Sequence, residues 1–145
     1  MRRKLPASII SQVRIRARGL CEYCHTAEQW QCVLFTIDHI TPIVKGGSDQ
    51  LDNLALACAH CNRQKSKHLL ANDPQTQTLV PLYHPRLDIW QAHFSWAQNA
   101  ALLVGLTAIG RATIVALEMN RPHLINIRAA DFLIGRHPPL DDSHL

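Results

Sequence analysis

Hydrophobic and polar positions divide the chain into a basic helical start, a cysteine-bracketed middle of short apolar runs, and an aromatic second half. Between residues 7 and 19, Ile9, Ile10, Val13, Ile15 and Ala17 are interleaved with arginines and end at Gly19, the pattern of a helix with a glycine C-cap. The run Cys32-Val33-Leu34-Phe35-Thr36-Ile37 is β-branched and aromatic, and predicts a strand that leads straight into Asp38-His39. Pro42 and Gly46-Gly47-Ser48 break regular structure and predict a loop through Asp52. Leu54-Ala55-Leu56-Ala57 then reads as a second short strand. From Cys58 to about Leu70 a helix is expected, with Lys65 and Lys67 exposed, stopped by Asn72-Asp73-Pro74.

From Thr76 the character changes. Tyr83, Trp90, Phe94 and Trp96 precede Leu102-Leu103-Val104-Gly105-Leu106, which predicts a hairpin turning near Gln98-Asn99 and pairing the Phe94/Trp96 segment with residues 101–106. Helices are expected over 111–119 and, after the start signal Asn120-Arg121-Pro122, over 122–134. The expected organisation is a core with a basic N-terminal helix over residues 1–75, an aromatic-rich covering extension over 76–137, and a disordered tail over 138–145. Trp90, Phe94 and Trp96 read as buried residues of the extension rather than as platforms for bases.

Composition narrows the class. With 145 residues, 47% hydrophobic and 18% charged, the chain is globular and has no apolar run near a membrane span. The basic N-terminus has no apolar segment behind it, so a cytoplasmic location is expected. The net charge of +4 permits nucleic-acid binding without requiring it. Placement says more: Arg2, Arg3, Lys4, Arg14, Arg16 and Arg18 precede the first cysteine pair, and Arg63, Lys65 and Lys67 follow the second. If the pairs meet, the two basic segments share a face, and Arg16, Arg18, Arg63, Lys65 and Lys67 become candidate phosphate contacts. A merely solvated helix face is the other reading.

The cysteines carry the strongest signal. Cys21-x-x-Cys24 and Cys58-x-x-Cys61, separated by 33 residues, fit a tetrahedral four-thiolate zinc site, because each tight turn presents two sulfurs. Five cysteines without a secretion signal argue against disulfides, and Cys32 reads as a small buried hydrophobe in the strand.

Inside this clamp lie groups suited to phosphodiester hydrolysis, which needs a deprotonated water and a cation on the phosphate. Asp38 can ligate a hard metal, His39 is the natural general base because it carries an imidazole, and Asn62 is a neutral oxygen ligand suited to the same Mg²⁺ or Mn²⁺. Lys65 follows one turn later. Asn53 is suited to fixing the loop through backbone hydrogen bonds. His60 is expected to face solvent, and His84 and His93 to be packed or hydrogen-bonded among aromatics.

The run Cys21-x-x-Cys24, Ile37-Asp38-His39-Ile40-x-Pro42, Gly46-Gly47, Asn53-Leu54, Leu56-x-Cys58-x-x-Cys61-Asn62-x-x-Lys65 resembles the HNH endonuclease family over about residues 19–70. The resemblance implies an α+β fold: a ββα-metal core stapled by a four-cysteine zinc site, with the hairpin and helices as a C-terminal extension. It also implies that Asp38 binds the catalytic metal, His39 activates water and Asn53 organises the loop. Asn62 stands where the family commonly has His, making this an HNN variant in which an amide oxygen favours Mg²⁺ or Mn²⁺. The second half is similar to an extension seen in a subset of small bacterial HNH proteins. The implied activity is DNA cleavage from the minor groove, leaving a 5′-phosphate and a 3′-hydroxyl, with nicking or low specificity expected because no recognition helix is apparent. RNA as substrate stays open. So do two alternatives: a non-catalytic nucleic-acid-binding zinc module, and a partner-dependent subunit that docks through the aromatic half.

Overall fold

The computed structural model describes residues 4–140 and 142, so Arg2 and Arg3 of the basic N-terminus lie outside the described residues. Helix α1 (Ala7–Ala17) buries Val13 and Ala17 and packs on the strand that ends at the second cysteine pair. It stops at Arg18 (φ 55°) with Gly19 (φ 71°) following, so the left-handed turn begins one residue before the expected glycine. Two of its arginines are tethers rather than a solvated face. Arg14 pairs with Glu28 at 2.5 Å and donates to the Phe35 carbonyl at 3.0 Å, while Arg16 donates to the carbonyls of Leu51 (2.9 Å) and Leu54 (2.5 Å).

Strand β1 (Thr36–His39) pairs antiparallel with β2 (Leu54–Ala57), which sets Asp38 opposite Ala55 and His39 opposite Leu54. The strand is shorter than expected, and Cys32 is exposed, not buried. The reason is the partner: β2 has only four residues and runs directly into the second cysteine turn, leaving residues 32–35 no edge to pair with. The Phe35 amide instead donates to Glu28 Oε2 at 2.7 Å.

Helix α2 (Ala59–Lys65) completes the ββα order, with Cys58 as its N-cap. It ends well before Leu70, because Ser66 takes a positive φ and the chain reverses into a hairpin that sequence pattern did not reveal, β3 (Leu70–Asn72) with β4 (Leu79–Pro81). Cross-strand pairing overrides the weak helical preference of Ser66-Lys67-His68. The division expected between residues 75 and 76 falls in the turn of this hairpin. Asp73 holds that turn by accepting from the amides of Gln75 and Thr76 and the Thr76 hydroxyl, and its carboxylate receives a bidentate pair from Arg111 at 2.9 Å.

Arg111 belongs to α4 (Ala108–Ala116), which follows the expected hairpin of β5 (Phe94–Trp96) and β6 (Leu103–Gly105). α4 starts at residue 108 because Thr107 caps it, accepting from the Gly110 amide at 3.0 Å. A Cβ on Gly110 would lie 2.1 Å from the His93 carbonyl, so α4 can approach the short helix α3 (Trp90–His93) only with glycine there. Helix α5 (Pro122–Leu133) begins at the expected proline.

One buried apolar cluster continues from Val13 and Leu54–Ala57 through Tyr83, Trp90, Phe94 and Leu103 to Leu117 and Met119. The second half therefore shares the core of the first. Trp90 Nε1 donates to the Tyr23 carbonyl at 2.9 Å, and the His25 ring stacks on Trp90 at 3.8 Å. The tail was expected to be disordered, yet Asp142 lies 2.5 Å from His25 Nδ1 and accepts from Trp96 Nε1 at 3.0 Å; residues 141 and 143–145 lie outside the described residues. Within the described residues the architecture is α+β, with three two-stranded antiparallel sheets among the helices.

The Arg111 guanidinium, ahead of the other partners, holds the Asp73 carboxyl well below the usual carboxylate range. A depressed folded pKa gives stability that is complete above the unfolded value of about 3.9 and lost as pH falls further. Asp73→Asn is expected to lower urea stability at neutral pH, with the gap to the wild type narrowing below about pH 4. A gap independent of pH would show that the pair does not carry the linkage.

Candidate active site

The sulfurs of Cys21, Cys24, Cys58 and Cys61 are all buried and lie within 4.8 Å of one another. Sγ of Cys24 and Sγ of Cys58 are 3.9 Å apart, close to the edge of about 3.8 Å in a tetrahedron with zinc–sulfur bonds of about 2.3 Å. The first turn is built locally: the Cys21 amide donates to the Thr26 carbonyl, the His25 amide donates back to Cys21, and Thr26 Oγ1 sits 3.1 Å from Cys24 Sγ. Glu22 ties this turn to β2 by accepting the Leu56 amide at 2.8 Å, and Arg86 pairs with the same carboxylate. Burial pushes the Cys21 thiol up, and hydrogen bonds from the neighbouring cysteines pull Cys24 well down. Such a crowded, water-excluded sulfur set suits a soft divalent cation that replaces the shared protons. The cluster is compatible with a structural zinc.

Beside it, a cavity of about 490 Å³ is lined by Asp38, His39 and Asn62, together with Pro42, Ile43, Val44 and Lys67. The strand end and the start of α2 thus bring the three candidate catalytic side chains to one place. His39 Nε2 lies 2.8 Å from Asp49 Oδ1, while its buried Nδ1 has no protein partner. Asn62 Nδ2 donates to Thr36 Oγ1 at 2.7 Å, leaving its amide oxygen outside that bond. Asp38 is 4% exposed and accepts from the Tyr23 hydroxyl at 2.6 Å. Burial raises its carboxyl above the ordinary range, and the Lys65 ammonium acts in the opposite direction.

Lys65 departs from expectation. It is not an exposed phosphate contact but is 2% exposed, with Nζ 3.1 Å from Asp38 Oδ2 and donating to the carbonyls of His39 (3.1 Å) and Ile40 (2.9 Å). The buried carboxylate needs a counter-charge, and among the described residues Lys65, in the last turn of α2, supplies it. Lys65 therefore anchors the backbone at the Asp38-His39 pair.

Asn53 has the backbone bonds expected of it. Its amide oxygen accepts from the Thr41 amide at 2.8 Å, and its Nδ2 donates to the carbonyls of Thr41 (3.0 Å) and Ser48 (2.8 Å). Gly47 is required where these meet, since a Cβ there would lie 1.7 Å from the Thr41 oxygen. The closed loop delivers Asp49 to His39. Sequence reasoning missed Asp49 and Tyr23, because their partners lie ten and fifteen residues away across non-repeating structure.

Of the remaining candidate phosphate contacts, Lys67 is exposed at the cavity rim, and Arg63 is exposed with Nη2 3.4 Å from His60 Nδ1. Arg18 is exposed at the end of α1. Arg16 is half-buried, and its guanidinium is committed to backbone carbonyls, which departs from an open contact role. Lys45, exposed on the loop after Val44, is a cation the charge pattern did not single out. His60 is half-buried 3.7 Å from Glu118, not fully solvent-facing; His84 accepts from the Arg86 and Leu87 amides, and His93 bonds to Thr107.

This arrangement of strand, strand and helix, with sulfurs at both ends and an Asp-His pair between, has a known counterpart. Residues 20–68 match the HNH endonuclease family. The matched HNH segment covers about a third of the chain and ends two residues before β3, so the hairpin and the aromatic half lie beyond it. No curated protein matches the chain.

Stripping metal from the cysteine cluster with a strong chelator is expected to abolish the circular-dichroism signature of the HNH segment, whereas withholding Mg²⁺ or Mn²⁺ leaves it unchanged. Loss of fold with the weaker ion alone would contradict two separate sites. Lys65→Met leaves a buried carboxylate unpaired and is expected to cost about 3–5 kcal/mol in zinc-loaded urea unfolding. A change below about 1 kcal/mol, the range of exposed pairs, would contradict the buried pairing.

Proposed function

We propose that this protein is an endonuclease that hydrolyses phosphodiester bonds in DNA, with His39 activating water beside one divalent ion held by Asp38 and Asn62. The observation that carries this reading is the state of His39. One ring nitrogen is held by Asp49, the other has no protein partner, and the ring lines the same cavity as both oxygen ligands.

The division of labour follows from that geometry. Asp49 accepts the Nε2 proton and so leaves the Nδ1 lone pair free to take a proton from water. Lys65 and Asn53 hold the backbone on either side of the ring, which fixes the approach of that water. Asp38 and Asn62 offer hard oxygens suited to Mg²⁺ or Mn²⁺, which when bound neutralises charge developing on the phosphate. Lys67, Arg63 and Lys45, all exposed, supply phosphate contacts that position without reading sequence. Cleavage of the P–O3′ bond then leaves a 5′-phosphate and a 3′-hydroxyl. Nicking or low-specificity cutting fits a site with no recognition helix beside it. Unpaired cysteines placed to hold a metal fit a cytoplasmic setting, and no helix among the described residues is long and apolar enough to cross a membrane.

One observation favours a second reading, a non-catalytic nucleic-acid-binding zinc module or a partner-dependent subunit. The Asp38 carboxylate is already engaged by Lys65 and Tyr23. A metal at that carboxylate has to share it.

Supercoiled plasmid incubated with zinc-loaded protein and Mg²⁺ or Mn²⁺ decides between them. Metal-dependent nicking is expected, falling at least about 100-fold in His39→Ala. Asp49→Ala is expected to lose up to about 100-fold in turnover with little change in DNA affinity. Equal cutting by wild type and His39→Ala sinks the catalytic assignment. DNA binding without cutting moves the weight to the second reading, and cleavage of RNA alone would change the substrate class.

A further inference from the structure

Arg128 has no place in the chemistry above, and its surroundings are unusual. It lies on α5, in the aromatic half, and is only 2% exposed. Its Nη1 donates to the Ala101 carbonyl and to Asn120 Oδ1, both at 3.1 Å, and the guanidinium lies 5.0 Å from the Trp96 ring centre. Nε and Nη2 are buried with no protein partner. A buried guanidinium left without negative charge nearby is strongly unfavourable, so the interior must supply an anion.

None of the ion pairs formed among the described residues gives it a carboxylate. Burial lowers the Arg128 pKa, and negative charge on the cysteines, Cys24 foremost, acts in the opposite direction. The geometry carries the argument: Arg128 and Thr26 line one small cavity of about 20 Å³, the Thr26 hydroxyl lies 3.1 Å from Cys24 Sγ, and the one carboxylate in that lining, Asp131, forms no ion pair with Arg128 among the described residues. With four thiolates around Zn²⁺ the centre would carry a formal charge of about −2 among buried side chains, where screening is weak.

We propose that Arg128 is the counter-cation of the four-cysteine metal centre, so that the second half of the chain sets how tightly the first half holds its metal. This rests on the zinc reading of the cysteines. The role is electrostatic support rather than ligation: the cation lowers the energy of the tetrathiolate relative to the protonated, metal-free cysteines. The aromatic half is then part of the metal site's electrostatics as well as its cover.

The test uses the full chain, with Zn²⁺ release to a competing chromophoric chelator as readout and Co²⁺ substitution as a check of coordination. Wild type with Co²⁺ is expected to show the charge-transfer bands of four sulfur ligands; their absence would remove the zinc reading itself, and this proposal with it. Given those bands, Arg128→Met is expected to release Zn²⁺ about 10–100-fold more readily. Arg128→Lys, which keeps the charge, is expected to stay within about threefold of wild type, and Arg121→Met at the N-cap of the same helix to match it. Retention in Arg128→Met equal to wild type overturns the proposal. So does release from a folded Arg128→Lys as fast as from Arg128→Met, because packing rather than charge would then be responsible. If Arg128→Met does not fold, Arg128→Lys decides alone: folded protein that loses Zn²⁺ more than tenfold faster than wild type contradicts the counter-charge.

Discussion

Four sulfurs drawn within 4.8 Å of one another are the constraint from which the rest of this structure hangs. They join two tight turns far apart in sequence, and the intervening chain has to leave one turn and return to the other. The hairpin of β1 and β2, four residues in each strand, lies within that span, and the Asp-His pair falls at a strand end beside α2. A segment built of such short strands and loops would gain order from a metal cross-link at these sulfurs that burial alone would not give it.

Around this knot the molecule places charge inside rather than outside. Asp38 with Lys65, Glu22 with Arg86, and Asp73 with Arg111 each join elements distant in sequence, and each includes a carboxylate nearly or wholly removed from solvent. Buried pairs contribute less to net stability than to the uniqueness of the arrangement, since removing one partner leaves a desolvated charge. Lys65 illustrates the gain in order. By binding Asp38 and two successive carbonyls it fixes the backbone at the site, a task an exposed lysine could not perform.

The aromatic half follows the same logic. Trp90 donates to the Tyr23 carbonyl and stacks on His25, so a residue from beyond the HNH segment packs on the first cysteine turn. The described part of the tail adds Asp142 to the same aromatic group. Covering the cluster excludes water, and water exclusion makes the charge around it matter.

Legibility in the sequence tracked the range of each interaction. The cysteine spacing, the Asp38-His39 pair, the Asn53 amide, the second-half hairpin and the proline start of α5 were readable, because local geometry or ligand chemistry demands those residue types at those spacings. The β3–β4 hairpin, the early end of α2, the exposure of Cys32 and the inward turn of Lys65 were not. Each depends on which partner lies across space: a four-residue β2 with no room for a longer neighbour, or a buried carboxylate in need of a cation. The sequence by itself determined which four cysteines could hold a metal and which polar residue types line the neighbouring cavity. Tertiary structure alone decided that Asp49 meets His39, that Lys65 and Arg16 hold backbone, and that the Arg128 guanidinium is buried with two nitrogens unpartnered. A side chain's chemistry is local, whereas the charge it must answer is assigned only when the chain has closed on itself.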